Sequence, residues 1–200
     1  MEKRQKTEVI RSFFHLSSGL TIVSVYGLTK VSRQWSLIIL GAIALFLVSG
    51  DILRQFIPKL SRLALRSFGI IMRQEEKTNL AATTYYIIGC WVTLLLFTRL
   101  IVCISILFLA IGDIMVKIIR EVSQERNSRC VILKTMGVNF LVCFFLGWLV
   151  LTRAEMSHPF LPSLLGALGA SLAEMVPKID NFTIPIFSGF LLTFSFYLIY

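Results

Sequence analysis

Seven apolar stretches separated by short polar segments make up most of the chain, leaving little from which a soluble domain could be built. They fall near 13–30, 34–50, 81–98, 99–117, 132–152, 160–176 and 183–200. Crossing a bilayer as a helix takes roughly 17–25 mostly apolar residues, so the second and sixth are short. Backbone in hydrocarbon must satisfy its own hydrogen bonds, which a helix does within one segment. The expected fold is therefore all-α: a transmembrane bundle of about seven spans, forming one integral-membrane domain over residues 1–200. A hydrophobic content of 56%, against about 45–50% in soluble domains, agrees. The basic start, Met1 to Lys6, followed by an apolar run has the outline of a signal peptide. Six more spans follow and no small-residue cleavage pattern is evident, so it reads as a retained first span.

Lys and Arg collect on the cytoplasmic side of membrane proteins. With the N-terminus inside and an odd number of spans, all but Lys30, Arg33, Arg99 and Arg153 of the 20 basic residues face the cytoplasm. The same arrangement puts all but Glu155 of the 11 carboxylates there. The net charge of +9 then faces anionic lipid headgroups. No aromatic-interleaved basic module speaks for nucleic acid.

Two cytoplasmic loops are long, about 51–80 and 118–134. In the first, Ile52, Phe56, Leu60, Leu63, Ser67 and Ile70 recur at helical spacing among Arg54, Lys59, Arg62, Arg66 and Arg73. That predicts a basic amphipathic helix at the interface, started or interrupted at Pro58, or packed on the bundle. The second loop is charged and predicted to be partly helical. The sixth span carries a small-residue face, Ser163, Ala167, Ala170 and Ser171, with Gly166 and Gly169 beside it. Such faces let membrane helices approach backbone to backbone, so this span is expected to be central and to deliver Glu174 into the bundle.

Cys90, Cys103, Cys130 and Cys143 form no CxxC, and only His15 and His158 could join them, so no structural zinc pattern exists. There is no GxxxxGK[ST] loop, kinase glycine loop, GxSxG or HExxH. Chemistry, if any, must use acids and cations at the membrane boundary, where a carboxylate is costly unless paired or metal-bound.

Four clusters meet that description. Glu8, Arg11 and His15 fall on one helical face, continued by Ser18 and Gly19; Glu8–Arg11 pairing, a bonded buried histidine, and a proton- or phosphate-handling histidine are all open. Asp113 follows Gly112 and precedes Lys117 by four residues. That fits an i,i+4 pair or a Mg²⁺ ligand, with Gly112 letting a phosphate approach. Glu174, Pro177, Asp180, Asn181, Thr183 and Pro185 punctuate the gap between the last two spans. Capping accounts for Asn181 or Thr183 but not for Glu174, one turn inside the boundary. Glu76 and Thr83 share a face at the mouth of the third span, near Arg73, Tyr85, Tyr86 and Gly89.

These pieces in this order resemble the CTP-dependent membrane lipid kinases: dolichol kinase, phytol kinase and the CTP-using diacylglycerol kinase. The resemblance rests on Glu8, Arg11, His15 and Gly19; Asp51 with Arg54; Arg73 to Glu76 before Thr84, Tyr85, Tyr86 and Gly89; Gly112-Asp113; and the closing Glu174, Pro177, Asp180, Asn181, Thr183, Pro185. It implies transfer of the γ-phosphate of CTP, or another nucleoside triphosphate, to the hydroxyl of a lipid alcohol such as a polyprenol, phytol or diacylglycerol. The reaction would take place at the cytoplasmic face of a bacterial inner membrane or endoplasmic reticulum. Asp113 and Asp180 would hold Mg²⁺. Asp180 or Glu174 would accept the hydroxyl proton, with His15 in the catalytic group. Lys117 and Lys134 would hold phosphates, and Glu8, Arg11, Asn181, Thr183 and Glu76 would line the substrate site. Two departures stand out. Ser12 replaces a lysine, and the family's Lys-Ser-x-Glu-Gly segment reads Lys134-Thr135-Met136-Gly137-Val138. They motivate the alternatives: an altered relative that binds lipid without transferring phosphate, or a small transporter or scaffold.

Overall fold

The computed structural model describes residues 2–57, 80–123, 129–176 and 179–199; the side chains of 2–9, 121, 122 and 129 lie outside that description. Every regular element within it is helical. The helices are α1 (Glu2–Leu28), α2 (Arg33–Phe56), α3 (Ala82–Leu96), α4 (Arg99–Leu107), α5 (Asp113–Val122), α6 (Arg129–Arg153), α7 (Phe160–Ala173) and α8 (Asp180–Ile199). A π-helical turn, Phe108–Gly112, joins α4 to α5 in one rod. Counted as rods, these match the seven apolar stretches. Helix α2 outruns its expected end at 50, because Asp51 and Arg54 pair across one of its turns (2.9 Å) and stay helical. Most of the proposed amphipathic helix over 51–80 lies outside the described residues.

The protein is an integral membrane bundle. Arg33–Phe56, Arg99–Arg120, Cys130–Arg153 and Asp180–Ile199 are each long and apolar enough to cross a bilayer, whereas Ala82–Leu96 and Phe160–Ala173 are apolar but shorter. The α4–α5 rod is the axis: 67% of its apolar window is buried in protein, against 17% for α2, which rests on the outside of α3. Val102, Ile104, Ile106, Leu109 and Ala110 are fully enclosed, as befits a helix apolar on all sides.

Two of the four basic residues at the opposite end have structural work. Arg33 donates to the carbonyls of Leu94 (3.2 Å) and Leu95 (2.6 Å), which end α3. Arg99 donates to those of Thr29 (3.4 Å) and Val31 (2.5 Å) after α1, and lies 4.8 Å over the ring of Tyr26. The last carbonyls of a helix lack intrahelical donors and carry partial negative charge, so a guanidinium there satisfies both.

The small face of α7 behaves as its sequence predicts: Ser163, Gly166, Ala167, Gly169, Ala170 and Ser171 are buried against α6 and α8. At the other interface of α8, Pro185 removes one intrahelical N–H and so frees the carbonyl of Asn181. Gly89 of α3 backs onto that carbonyl; a Cβ there would lie 2.8 Å from it and 2.9 Å from Phe182 Cα. Glycine therefore sets the distance between α3 and the start of α8.

Candidate functional site

The polar residues of the bundle converge where α5 begins. Helix α1 turns one stripe inward: Arg11, His15, Gly19 and Tyr26, with Arg11 at 5% and His15 at 0% exposure. The steps of four, four and seven residues keep these side chains on one helical face. His15 stacks on Tyr86 of α3 (centroids 4.7 Å apart), and the Tyr86 hydroxyl donates to the His15 carbonyl at 3.0 Å. Its Nδ1 lies 3.6 Å from Oδ2 of Asp113.

Asp113 is the hub. It follows directly on the π-helical turn, is 4% exposed, and its Oδ2 accepts from Lys117 as well as facing His15. A π turn inserts one residue into the helical repeat, a device common at functional sites. Here it decides which face of the rod Asp113 and Lys117 present. The pair and the site are thus compatible: the same lysine that neutralises Asp113 sits in the cluster.

Glu174 ends α7. Thr183, within the first turn of α8, donates to the carbonyl of Ala173 (3.3 Å), so Glu174 lies about one turn below the start of α8, as its sequence position predicts. It is 5% exposed; Oε1 accepts from Arg120 at 3.0 Å, while Oε2 is buried without a partner among the described residues. Asp113, Asp180, Lys117 and Arg120 all act on its charge. Asp180 in turn feels Asp113, Lys117 and Arg11, and accepts from its neighbour's N–H, Asn181, at 2.9 Å. Three carboxylates from three helices, with Lys117, Arg120, Arg11 and His15 near them, therefore act on one another's charge at one end of the bundle, Glu174 and Asp113 being buried and Arg120 44% exposed. Like charges near one another destabilise one another, and the Lys117 and Arg120 contacts offset part of that.

Several expectations need correction. Lys134 is exposed on α6, whereas its neighbour Thr135 is 1% exposed; the inward stripe is Val131, Thr135, Asn139 and Cys143. The lysine of the divergent segment therefore does not join the cluster. Gly112 opens no space for a phosphate: a Cβ there would collide with Oδ1 of Asn139, whose Cγ would be 3.4 Å away. The Thr183 hydroxyl is taken up by the carbonyls of Ala173 and Ile179 (3.1 Å), a helix-end role. Thr84, rather than Thr83, carries the third-span hydroxyl that matters, donating to Asp51 at 2.6 Å. Glu76 and the side chain of Glu8 lie outside the described residues. Asn181 is buried (3%), with Oδ1 unpartnered among the described residues.

Asn139 was not anticipated, and Tyr86, Asp51 and Thr84 were named in the resemblance without the contacts they make. Asn139 had a visible signal: with Thr135 and Cys143 it forms the i+4 polar stripe of an otherwise apolar helix. The Asp51 contacts had none, since they join residues 30 and 33 positions apart.

No family model matches the chain, and no solved structure matches it. A 110-residue stretch is 33% identical to CTP-dependent diacylglycerol kinase 1 of Schizosaccharomyces pombe, covering 54% of this chain and 50% of that one. The chain thus spans about half the length of this curated relative. An uncharacterized protein of Rickettsia prowazekii, RP860, is 24% identical over 191 residues, 88% of each chain.

Proposed function

We propose that the protein is a membrane lipid kinase that transfers the terminal phosphoryl group of CTP to the hydroxyl of a lipid alcohol. The observation that carries this is the convergence of Asp113, Glu174 and Asp180 with Lys117, Arg120, Arg11 and His15 inside one end of the bundle. The partial similarity to a CTP-dependent diacylglycerol kinase supports CTP as donor and makes diacylglycerol the first acceptor to test.

Phosphoryl transfer is mainly positioning and charge stabilisation. The lipid hydroxyl oxygen bonds to the terminal phosphorus as the bridging oxygen to CDP leaves, and the hydroxyl proton passes to a base. His15 is buried with neither ring nitrogen hydrogen-bonded among the described residues, its Nδ1 lying 3.6 Å from Asp113. Asp180 and Glu174 are the other candidate bases. Lys117, Arg120 and Arg11 offset charge on the phosphates.

The described residues hold no group of three or more His, Cys, Asp or Glu poised as a metal cage. Mg²⁺ needs none, because it typically takes one or two carboxylates and completes its shell with phosphates and water. The unpartnered buried oxygens of Glu174 and Asn181 are hard donors of the right kind. Asp113 and Asp180 would hold the ion, with the unpartnered oxygens of Glu174 and Asn181 as further candidate donors. When bound it would neutralise phosphate charge.

The test is phosphorylation by labelled CTP, with diacylglycerol, a polyprenol and phytol as acceptors, in wild type, Asp113→Asn and Asp180→Asn. Labelled lipid from wild type and loss of more than about 10²-fold in both variants is expected; undiminished activity in both overturns the assignment. A second reading, an altered relative that binds lipid without transferring phosphate, draws on the outward-facing Lys134 and the filled space at Gly112. Mg²⁺-dependent CTP binding to the purified protein argues against it.

A further inference from the structure

Asn139 is the one residue of the α6 inward stripe whose side chain is both buried and half used. It is 1% exposed. Its Oδ1 accepts from the thiol of Cys143 at 3.4 Å and packs on Gly112, the residue before Asp113. Its Nδ2 has no partner among the described residues. Cys143 is also close enough to Glu174 to feel its charge. The amide therefore packs on the backbone just before Asp113, its oxygen taken by Cys143 and its two N–H donors unspent among the described residues.

A buried donor without an acceptor is destabilising, and an apolar residue of similar shape would be better tolerated. The stripe could have been apolar, as the rest of α6 is. No described residue supplies the acceptor, which leaves the donors open to an oxygen of a bound group. In a cluster that carries Lys117, Arg120 and Arg11, that acceptor is an anionic oxygen.

We infer that Asn139 binds a phosphoryl oxygen, its Nδ2 donating where the exposed Lys134 does not reach. This rests on the kinase reading for its context, but not for its test. The oxygen belongs to the polyphosphate of the donor or to a phosphorylated lipid, and two arms separate these.

Wild type, Asn139→Leu and Asn139→Asp are placed in phosphatidylcholine nanodiscs. One arm titrates magnesium tripolyphosphate; the other replaces part of the lipid with phosphatidic acid. Thermal unfolding is followed throughout. Asn139→Leu should unfold at or above the wild-type temperature yet bind one of the two anions about 10- to 100-fold more weakly. Asn139→Asp, which sets a carboxylate against the phosphate, should bind weaker still, and serves where the leucine variant fails to fold. The arm that responds names the source. Unchanged affinity for both anions in the variants, or no binding of either by wild type, overturns the inference. Asn139-dependent tripolyphosphate binding without labelled lipid from CTP sinks the kinase reading and leaves this one standing. Labelled lipid formed with unchanged nucleotide KM in Asn139→Leu does the reverse.

Discussion

The Arg120–Glu174 pair gives the sharpest test of how the cluster is held. The charges are 3.0 Å apart, with Glu174 at 2% side-chain exposure and Arg120 at 44%. At an effective dielectric of about 20, that separation corresponds to roughly 5 kcal/mol of attraction, and in bulk water to about 1.4. The exposed guanidinium is screened, so about 2–3 kcal/mol is the reasonable working value. In Arg120→Met, Glu174 stays buried with Oε2 already unpartnered and with Asp113 and Asp180 repelling it. The variant should therefore lose at most that amount, lowering Tm by up to about 5–10 °C for a chain of this size, because the buried carboxyl can take up a proton once Arg120 is gone.

Glu174→Gln tests the other side. It gives up the pair, but also the burial of a charge and two repulsions, so its Tm should stay near wild type. Activity should nonetheless fall by about 10²-fold or more if Glu174 serves as base or metal ligand. Thermal unfolding of the wild type, both single variants and the double variant in detergent completes a double-mutant cycle. In the Glu174→Gln background, Arg120→Met should cost less than about 0.5 kcal/mol. An equal cost in both backgrounds refutes the argument, since Arg120 would then act through packing and not through the buried carboxylate.

Other outcomes follow from the same geometry. Tyr86→Phe keeps the stack on His15 but loses the hydroxyl bond to its carbonyl; about 1 kcal/mol of stability should go, and retention of full Tm would show that the bond is not formed. Asp51 accepts from the Ala81 N–H (2.8 Å) and from Thr84, capping α3 from a neighbouring helix because Ala81 has no side chain to do so. Thr84→Val should cost about 1–2 kcal/mol, read by urea unfolding. Gly89→Ala should push α3 off α8 and lower Tm, whereas Gly50→Ala, where a Cβ meets nothing within 4 Å, should not. Chelation of divalent cations should abolish labelled-lipid formation and Mg²⁺ should restore it; transfer that survives chelation removes the metal from the reaction.

What could be read from the chain before its structure was whatever contradicts its surroundings. His15, Asp113 and Glu174 stand out because ionisable side chains in apolar runs are costly, and each proves to be buried in the cluster. The small face of α7 stands out for the same kind of reason, since glycine and alanine in a span have value only when another backbone comes close. Partnership across helices was less legible. Asp51 and Thr84 meet across 33 positions, and nothing in either local pattern specifies the other. Facing was the weakest point of all. Lys134 and Thr135 are adjacent, so motif matching gave them together, yet consecutive helical residues point about 100° apart and only one can face the cluster. The decision lies in the stripe Val131, Thr135, Asn139, Cys143, which is settled by packing against the π-helical turn. A site built on helices is thus legible by residue type and depth, but which side chains face it follows from the rotation of each helix. That rotation turns Lys134 outward and sets Thr135 and Asn139 facing the π-helical turn.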